Sequence, residues 1–211
     1  MLSKVSTVNC MGCSFNCSLD PENKMEEFLC EERQLAVWPD LNYYFKRAIH
    51  DLVFKELTCY LSQGIIVVDF SVDNILFFIN EKWTKKLNDS GLKIVLLSEK
   101  NMLPMANFWM AHSGFTWSVV EVENSLPNVI DKIKRIMQGR QLHCRRTPSL
   151  TEHEMVTLRL LAQGKSSQDI ACIMSCDTRS VYRFQTSLCK KFGGLNRLRD
   201  LRLMHAIYAI D

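Results

Sequence analysis

The sequence has no long apolar run. Its longest apolar stretches, such as Ile65 to Val68, are far shorter than the about 20 apolar residues that a membrane-spanning helix requires. The opening residues, Met1 to Val5, do not lead into the apolar core of a secretory signal peptide. The chain also contains no internal repeat and no low-complexity tract. These absences predict a globular protein of the cytoplasm that has no membrane partner.

Length and charge predict two domains. The 211 residues, 47% of them hydrophobic, suffice for two small domains. The polar and basic segment 138–149 has the composition of a linker. Residues 140–211 carry 12 Lys and Arg against 6 Asp and Glu, whereas residues 1–139 carry 14 against 17, so the basic end is expected to bind a phosphate backbone. The expected boundaries are an N-terminal Cys-containing segment at 1–36, an α/β domain at 37–139, a linker at 140–149 and a basic domain at 150–211.

The basic domain has the pattern of short helices separated by capped turns. Thr151 with Glu154, and Ser166 with Asp169, have the spacing of capping boxes that start two helices. A third helix begins near Asp177 or Thr178, and a fourth amphipathic pattern follows it. Apolar residues at helical spacing predict the buried faces of the first two helices: Met155, Leu158, Leu161, Ala162, Ile170, Ile173 and Met174.

The third helix has two different faces. Its expected inward face consists of Val181, Phe184, Leu188 and Phe192. Its opposite face is polar and basic, and it consists of Arg179, Tyr182, Arg183, Thr186 and Lys190. A slim helix with such a face fits the major groove of DNA. A charged face that only meets solvent is the alternative, but the three-helix frame around this one favours DNA recognition.

With these residues in place, the segment resembles the C-terminal DNA-binding domain of LuxR/FixJ-type transcription regulators. The resemblance implies an all-α domain of four helices, a helix-turn-helix whose third helix enters the major groove of double-stranded DNA. It also implies that Leu198, Leu201 and Met204 of the fourth helix form a dimer contact, with a second copy or with a related regulator. Packing of this stripe against the first helix stays open. The matching residues are Leu150-Thr151, Glu154, Leu158, Leu161-Ala162, Gly164, Ser166, Asp169-Ile170-Ala171, Met174, Ser180-Val181, Lys191-Phe192-Gly193 and Asn196-Arg197.

The recognition helix departs from the family pattern at two positions. The family usually has Lys and His where this chain has Tyr182 and Phe184. By position, Tyr182, Arg183 and Thr186 would face base edges, and Arg183 could pair with guanine. The departures predict DNA binding of the family's kind at a different target sequence. The expected phosphate contacts are Ser166, Ser167, Thr178, Arg179 and Lys190.

Strand patterns alternate with helix patterns in the first domain. Strands are expected at 65–70, 93–98 and 116–122. Helices are expected at 41–61, 75–87, 102–112 and 126–137, although residues 75–79 could instead be extended. The alternation predicts a parallel α/β sheet, and an α/β domain in front of this DNA-binding domain resembles the receiver of a response regulator. Ala106 to Trp109 and the approach to the last strand, at 113–120, also resemble the N-terminal region of enterobacterial fimbrial LuxR-type regulators.

The receiver chemistry is incomplete. A receiver needs an acidic pair for Mg²⁺, an Asp and a Ser or Thr at two strand ends, and a Lys after the last strand. Asp69 and Ser98 match the strand-end positions, but only Asp40 follows the first strand and no Lys lies in Val119 to Glu121. Neither Mg²⁺ nor a phosphoryl charge would be neutralised. We expect a degenerate receiver that phosphorylation does not switch, with no catalytic residues and no cofactor; the same absences argue against the alternative of an autophosphatase-type enzyme.

The chain has nine cysteines and no export signal, so its thiols are expected to be mostly free. Cys10, Cys13, Cys17 and Cys30 have the spacing C-x2-C-x3-C-x12-C, which could hold Zn²⁺ or an iron–sulfur cluster. However, the segment has no second C-x2-C and no zinc-ribbon hairpin. Metal binding is left open here, and a mobile segment without a ligand is favoured.

The sequence as a whole predicts a bacterial transcription regulator that binds specific DNA, with fimbrial genes as suggested targets. The alternative from a different class is a co-regulator that acts by protein–protein contact with another LuxR-type regulator.

Overall fold

The computed structural model of the chain describes residues 8–12, 18–19, 34–57, 64–112, 117–122, 125–140, 142 and 148–193. They form a parallel sheet with helices on both faces, followed by a bundle of three helices. We refer to these as the sheet domain and the helix bundle. Within the described ranges, no helix is long and apolar enough to cross a membrane.

The sheet has four parallel strands in the order β1-β2-β3-β4. The strands are β1 (Leu35–Trp38), β2 (Ile65–Phe70), β3 (Lys93–Ser98) and β4 (Ser118–Glu121). Nearly every strand residue is buried because helices cover both faces, which explains the continuous apolar runs. The predicted α/β class and the predicted strands 65–70 and 93–98 are confirmed, and the strand expected at 116–122 is shorter.

Two helices pack on each face of the sheet. The first face carries α1 (Tyr43–Leu52), which continues as the π-helical turn Val53–Leu57, and α4 (Leu126–Met137). The opposite face carries α2 (Lys82–Asp89) and α3 (Leu103–His112). The prediction of a single helix over 75–87 was wrong. A 3-10 helix spans Val72–Phe78, and the side chain of Asn80 accepts a hydrogen bond from the backbone N–H of Lys82, where α2 starts.

Segments outside the four strands extend the sheet on both sides. Cys10 forms an antiparallel bridge with Ala36, and the N–H of Met11 donates to the carbonyl of Leu35 at 2.6 Å. At the other edge, the N–H of Val119 donates to the carbonyl of Leu142 at 3.0 Å. Parts of the expected N-terminal segment and of the expected linker are therefore bonded to the outer strands.

The helix bundle comprises α5 (Glu152–Ala162), α6 (Ser167–Ile173) and α7 (Thr178–Lys191). Both expected capping boxes are present, at Thr151 and Ser166. After α6 the chain turns through Ser175 at φ 51°, where the N–H of Cys176 donates to the carbonyl of Ala171 and closes the helix end. The expected fourth helix, with Leu198, Leu201 and Met204, lies outside the described residues.

Candidate nucleic-acid interface

Helix α7 is attached to the bundle by its apolar face. The side chain of Asp177 accepts a hydrogen bond from the N–H of Ser180 and starts the helix at Thr178, as expected. Val181, Leu188 and Phe192 are buried. These contacts fix which side of α7 points away from the protein.

Two residues that were expected to be buried are not. Phe184 is half-buried and stacks on His153 of α5, with ring centroids 5.4 Å apart, so it lies at the margin of the core. Ile173 is 54% exposed, because the short helix α6 meets the other helices only through the side that carries Ile170 and Ala171. The expected inward faces of α6 and α7 are therefore corrected at these two positions.

The outward side of α7 holds the residues expected to read DNA. Arg179, Tyr182, Arg183, Thr186 and Lys190 are all exposed, and together with Ser187 they line a shallow groove of about 360 Å³. We call the first five residues the polar face of α7. Tyr182 is 57% exposed although it is aromatic, which leaves its ring and hydroxyl free to meet a ligand. Contact between these residues and DNA remains a prediction.

The polar face offers both donors and acceptors. The hydroxyl of Thr186 donates to the carbonyl of Tyr182 at 2.8 Å, so its oxygen keeps only its capacity to accept a hydrogen bond. Arg183 carries a planar group of five N–H donors. The polar face can therefore donate hydrogen bonds to base acceptors through Arg183 and accept one from a base amino group through Thr186.

The two serines at the start of α6 are already engaged. The hydroxyl of Ser166 accepts from the N–H of Asp169 at 3.2 Å and donates to its carboxylate at 2.6 Å. The hydroxyl of Ser167 accepts from the side-chain amide of Gln185 at 3.1 Å, a bond that links α6 to α7. The hydroxyl proton of Ser166 is committed to the capping box, whereas that of Ser167 is still available to a phosphate. Thr178 is half-buried at the first turn of α7.

A buried ion pair joins α5 to α7. The carboxylate of Glu154, which is 4% exposed, accepts from the N–H of Thr151 at 2.7 Å, from Ser187 Oγ at 2.6 Å and from Lys191 Nζ at 2.7 Å. Burial raises the pKa of Glu154, but hydrogen bonds from Lys191 and Ser187 outweigh it and the pKa is lowered. Lys191 Nζ also donates to the carbonyl of Ser149 at 2.8 Å. Lys191 is therefore a structural cation, unlike the exposed Lys190 beside it.

The sequence does not predict this network. Its one signal is Glu154, at the capping-box position of α5. The capping-box spacing accounts for one carboxylate oxygen of Glu154, whereas the other accepts from Ser187, which is 33 residues away along the chain. Pairing across that separation depends on how α5 and α7 pack.

The strand ends of the sheet domain have the incomplete receiver pattern. Asp69 is buried, and burial raises its pKa although hydrogen bonds from Ser71 and Asn74 partly oppose this. The hydroxyl of Ser98 donates to the carbonyl of Glu99 at 3.0 Å. In the sheet register Ser98 pairs with Glu121, so the last strand ends on an acid.

The cysteine motif is only partly visible. Cys10 is buried against the sheet, whereas Cys13, Cys17 and Cys30 lie outside the described residues. In the ranges that the structure covers, no three His, Cys, Asp or Glu side chains are grouped to hold a metal ion.

Known families match both halves of the chain. The EcpR N-terminal domain matches residues 9–137, and the luxR family of bacterial regulatory proteins matches residues 148–203. The chain is 29% identical over 194 residues to the uncharacterized protein YqeH of Escherichia coli (strain K12), with 92% of each protein covered.

Solved structures of RcsB are also similar to the chain. In a structure of two RcsB dimers bound to two parallel DNAs, the matched chain is 13% identical; the match covers 85% of this chain and 99% of that one, with a TM-score of 0.44. In a complex of the two-component response regulator RcsB with DNA, identity is 15%, coverage is 74% and 79%, and the TM-score is 0.36. With the EcpR N-terminal domain matching more than half of its length and a luxR-type helix-turn-helix behind it, the chain belongs to the EcpR N-terminal domain family and is a DNA-binding regulator of the luxR type.

Proposed function

We propose that this regulator recognises one specific double-stranded DNA sequence through the polar face of α7. The observation that supports the proposal is the exposure of all five residues of that face on a helix whose opposite side is buried. A regulator needs such a surface because sequence is read by side chains that reach base edges in the major groove.

Different residues of the face have different tasks. Arg183 donates two parallel hydrogen bonds to guanine, a pairing that discriminates against wrong bases by about 1–3 kcal/mol. Thr186 accepts from a base amino group. Tyr182 has no charge to place on phosphate, so its contribution is apolar contact with the bases and a hydroxyl hydrogen bond. Arg179 and Lys190 bind phosphates on either side, with Ser167 and Thr178 at the helix starts. Ser166 acts indirectly, because its N–H and hydroxyl both bond to Asp169 and hold the start of α6 in place.

Phosphorylation does not control this activity. Asp69 is buried, and burial raises its pKa, so the carboxylate that would accept a phosphoryl group is less favoured than in an exposed aspartate. Glu121 stands opposite Ser98 at the end of β4, and a carboxylate at that place would repel the phosphoryl group that a lysine would neutralise.

The regulator acts as a dimer on paired half-sites. A single helix-turn-helix contacts little DNA, and useful affinity comes from two copies on spaced half-sites. Leu198, Leu201 and Met204 are the proposed contact, and the partner is a second copy or a related luxR-type regulator. Fimbrial genes are the proposed targets, on the strength of the resemblance of the N-terminal half to fimbrial regulators of this type.

The second candidate function is that of a co-regulator that pairs with another luxR-type regulator and redirects it. The feature that favours it is Tyr182, which stands where the family usually has Lys and adds no positive charge to the polar face. In that case the chain alone would bind DNA weakly and only the mixed dimer would bind tightly.

Two alanine variants test the proposed function. Arg183→Ala should lose about 1–3 kcal/mol of binding free energy and should relax the preference at one base position. Lys190→Ala should weaken binding to all sequences alike and should lower the salt slope by about one unit. The measurement is a gel shift on DNA selected from random duplexes, at several salt concentrations.

Arg140→Ala is the matched control, because Arg140 is an exposed cation outside the helix bundle. If both α7 variants bind like the wild type, α7 does not read the DNA. If the wild type binds only when a related regulator is added, the co-regulator function is correct instead.

A further inference from the structure

The helix bundle is packed against the sheet domain, with apolar side chains from both in one buried cluster. Leu150, Met155 and Phe192 of the bundle belong to the same cluster as Met102 and Met105 of the sheet domain. All five side chains are at most 3% exposed. Domains of one chain move freely against each other by default unless their interface is large and apolar.

Polar contacts cross the same boundary at three places. The N–H of Leu150 donates to the carbonyl of Pro104 at 3.0 Å, and Arg159 Nε donates to the carbonyl of Ile79 at 3.1 Å. His112 Nε2 lies 3.0 Å from a carboxylate oxygen of Glu152. The backbone bond and the Arg159 bond are directional, so they fix an orientation that apolar packing alone would leave loose.

The recognition helix itself ends against the sheet domain. Gly193, at φ 77° just beyond α7, lies so close to Asn101 that a Cβ built on it would be 3.0 Å from the Asn101 side-chain oxygen. The segment before the bundle is held as well, because the carbonyl of Leu142 accepts from Val119 of β4. The bundle is thus attached at its entry, along α5 and at the end of α7.

These contacts leave the polar face of α7 uncovered. Its five residues are exposed in the same arrangement in which the contacts above are made. A contact that switched DNA binding off by masking α7 would cover that face, whereas the observed contacts lie on other sides of the bundle.

We propose that the sheet domain holds the recognition helix α7 in a fixed orientation and leaves its polar face exposed. DNA therefore binds without any separation of the two domains. The DNA part of this inference rests on the proposed function, whereas the coupling of the two domains does not. In this arrangement a signal acts through assembly with a second copy or a partner, because the polar face of α7 is already exposed.

The coupling is tested by unfolding. All four tryptophans, at positions 38, 83, 109 and 117, belong to the sheet domain, so their fluorescence reports on that domain alone. Glu154→Gln weakens the contact with Lys191 inside the helix bundle and changes no residue of the sheet domain. In urea, the wild type should give one midpoint by fluorescence and by helical circular dichroism, and Glu154→Gln should lower both midpoints together. A fluorescence midpoint that stays at the wild-type value while the helical signal shifts would overturn the proposal.

The absence of a release step is tested by amide hydrogen exchange of the full chain, with and without a duplex selected from random sequences. Peptides covering 100–112 and 150–162 should exchange at the same rate within about twofold when DNA binds. Exchange about tenfold faster in those peptides on adding DNA would show that the domains separate and would refute the proposal.

Arg159→Ala should speed amide exchange around Ile79, whereas the exposed control Gln163→Ala should not. Equal effects of the two variants would also refute the proposal. If the wild type binds no duplex, the proposed function fails, and the unfolding test still decides whether the domains are coupled.

Discussion

Removal of the Glu154 carboxylate should be the most damaging single polar change in the helix bundle. Glu154→Ala leaves Lys191, whose side chain is 17% exposed, with only the carbonyl of Ser149, and it removes the acceptor of Ser187 and of the Thr151 N–H. Breaking a buried ion pair from one side typically costs about 3–5 kcal/mol. Since a folded protein is stable by about 5–15 kcal/mol, this loss is a large share of the free energy of unfolding.

Two further variants separate charge from hydrogen bonding. Glu154→Gln keeps an acceptor oxygen but loses the charge. We expect a loss of about 1–1.5 kcal/mol, the difference between a hydrogen bond to a charged group and one between neutral groups. Glu152→Ala is the matched control, since Glu152 is an acid two positions earlier whose side chain is 65% exposed. An exposed pair contributes at most about 1 kcal/mol, so the control should remain near the wild type.

The assay is urea unfolding followed by helical circular dichroism at several pH values. Because folding lowers the pKa of Glu154, the folded state binds fewer protons than the unfolded state. The stabilisation is present above the unfolded pKa and is lost as pH falls through the folded pKa. The difference between the wild type and Glu154→Gln should therefore shrink in acid. A Glu154→Ala protein within about 1 kcal/mol of the wild type at neutral pH would refute the assigned network.

Asp69, Leu201 and Ser175 can each be tested separately. Acetyl phosphate should not modify Asp69, and an intact-mass adduct that disappears in Asp69→Asn would contradict the degenerate receiver. Leu201→Asp should abolish binding to paired half-sites; circular dichroism must show a folded protein, and a folded variant that still protects two half-sites would place the dimer contact elsewhere. Ser175→Gly should stabilise the helix bundle by about 0.5 kcal/mol. A left-handed φ costs a non-glycine residue about 1–2 kcal/mol, and glycine removes that cost. Part of the gain is lost because glycine also raises the conformational entropy of the unfolded chain. A lower urea midpoint for Ser175→Gly would contradict this.

Elements with one clear local signal could be predicted from the sequence. The strands β2 and β3 are apolar runs of strand length, and the starts of α5 and α6 are set by capping boxes within four residues of sequence. The exposure of the polar face of α7 followed from helical spacing once its apolar side was identified. These features depend on residues that are close together along the chain, so the sequence alone indicates them.

The errors have a common physical origin. Residues 72–78 form a 3-10 helix with Ile75, Leu76 and Phe78 all buried, so their apolar pattern reflects burial on several sides rather than one helical stripe. Ile173 has the right spacing for a buried stripe, but α6 is too short to be covered on that side. The pairing of Glu154 with Lys191 joins parts of the chain 37 residues apart. In each case the outcome was decided by packing between elements, which spacing within an element does not encode.

The covering of the outer strands has a practical consequence for cutting the protein into pieces. An uncovered strand edge offers free N–H and carbonyl groups to other molecules and promotes aggregation. A fragment limited to 37–139 would lose residues 10 and 11 from beside β1, the first half of β1 itself and the carbonyl of Leu142, which accepts from the N–H of Val119 in β4. Such a fragment would have two unpaired strand edges and should precipitate, whereas a chain that begins before Val8, keeps Leu142 and retains the helix bundle over the shared apolar cluster should stay monodisperse.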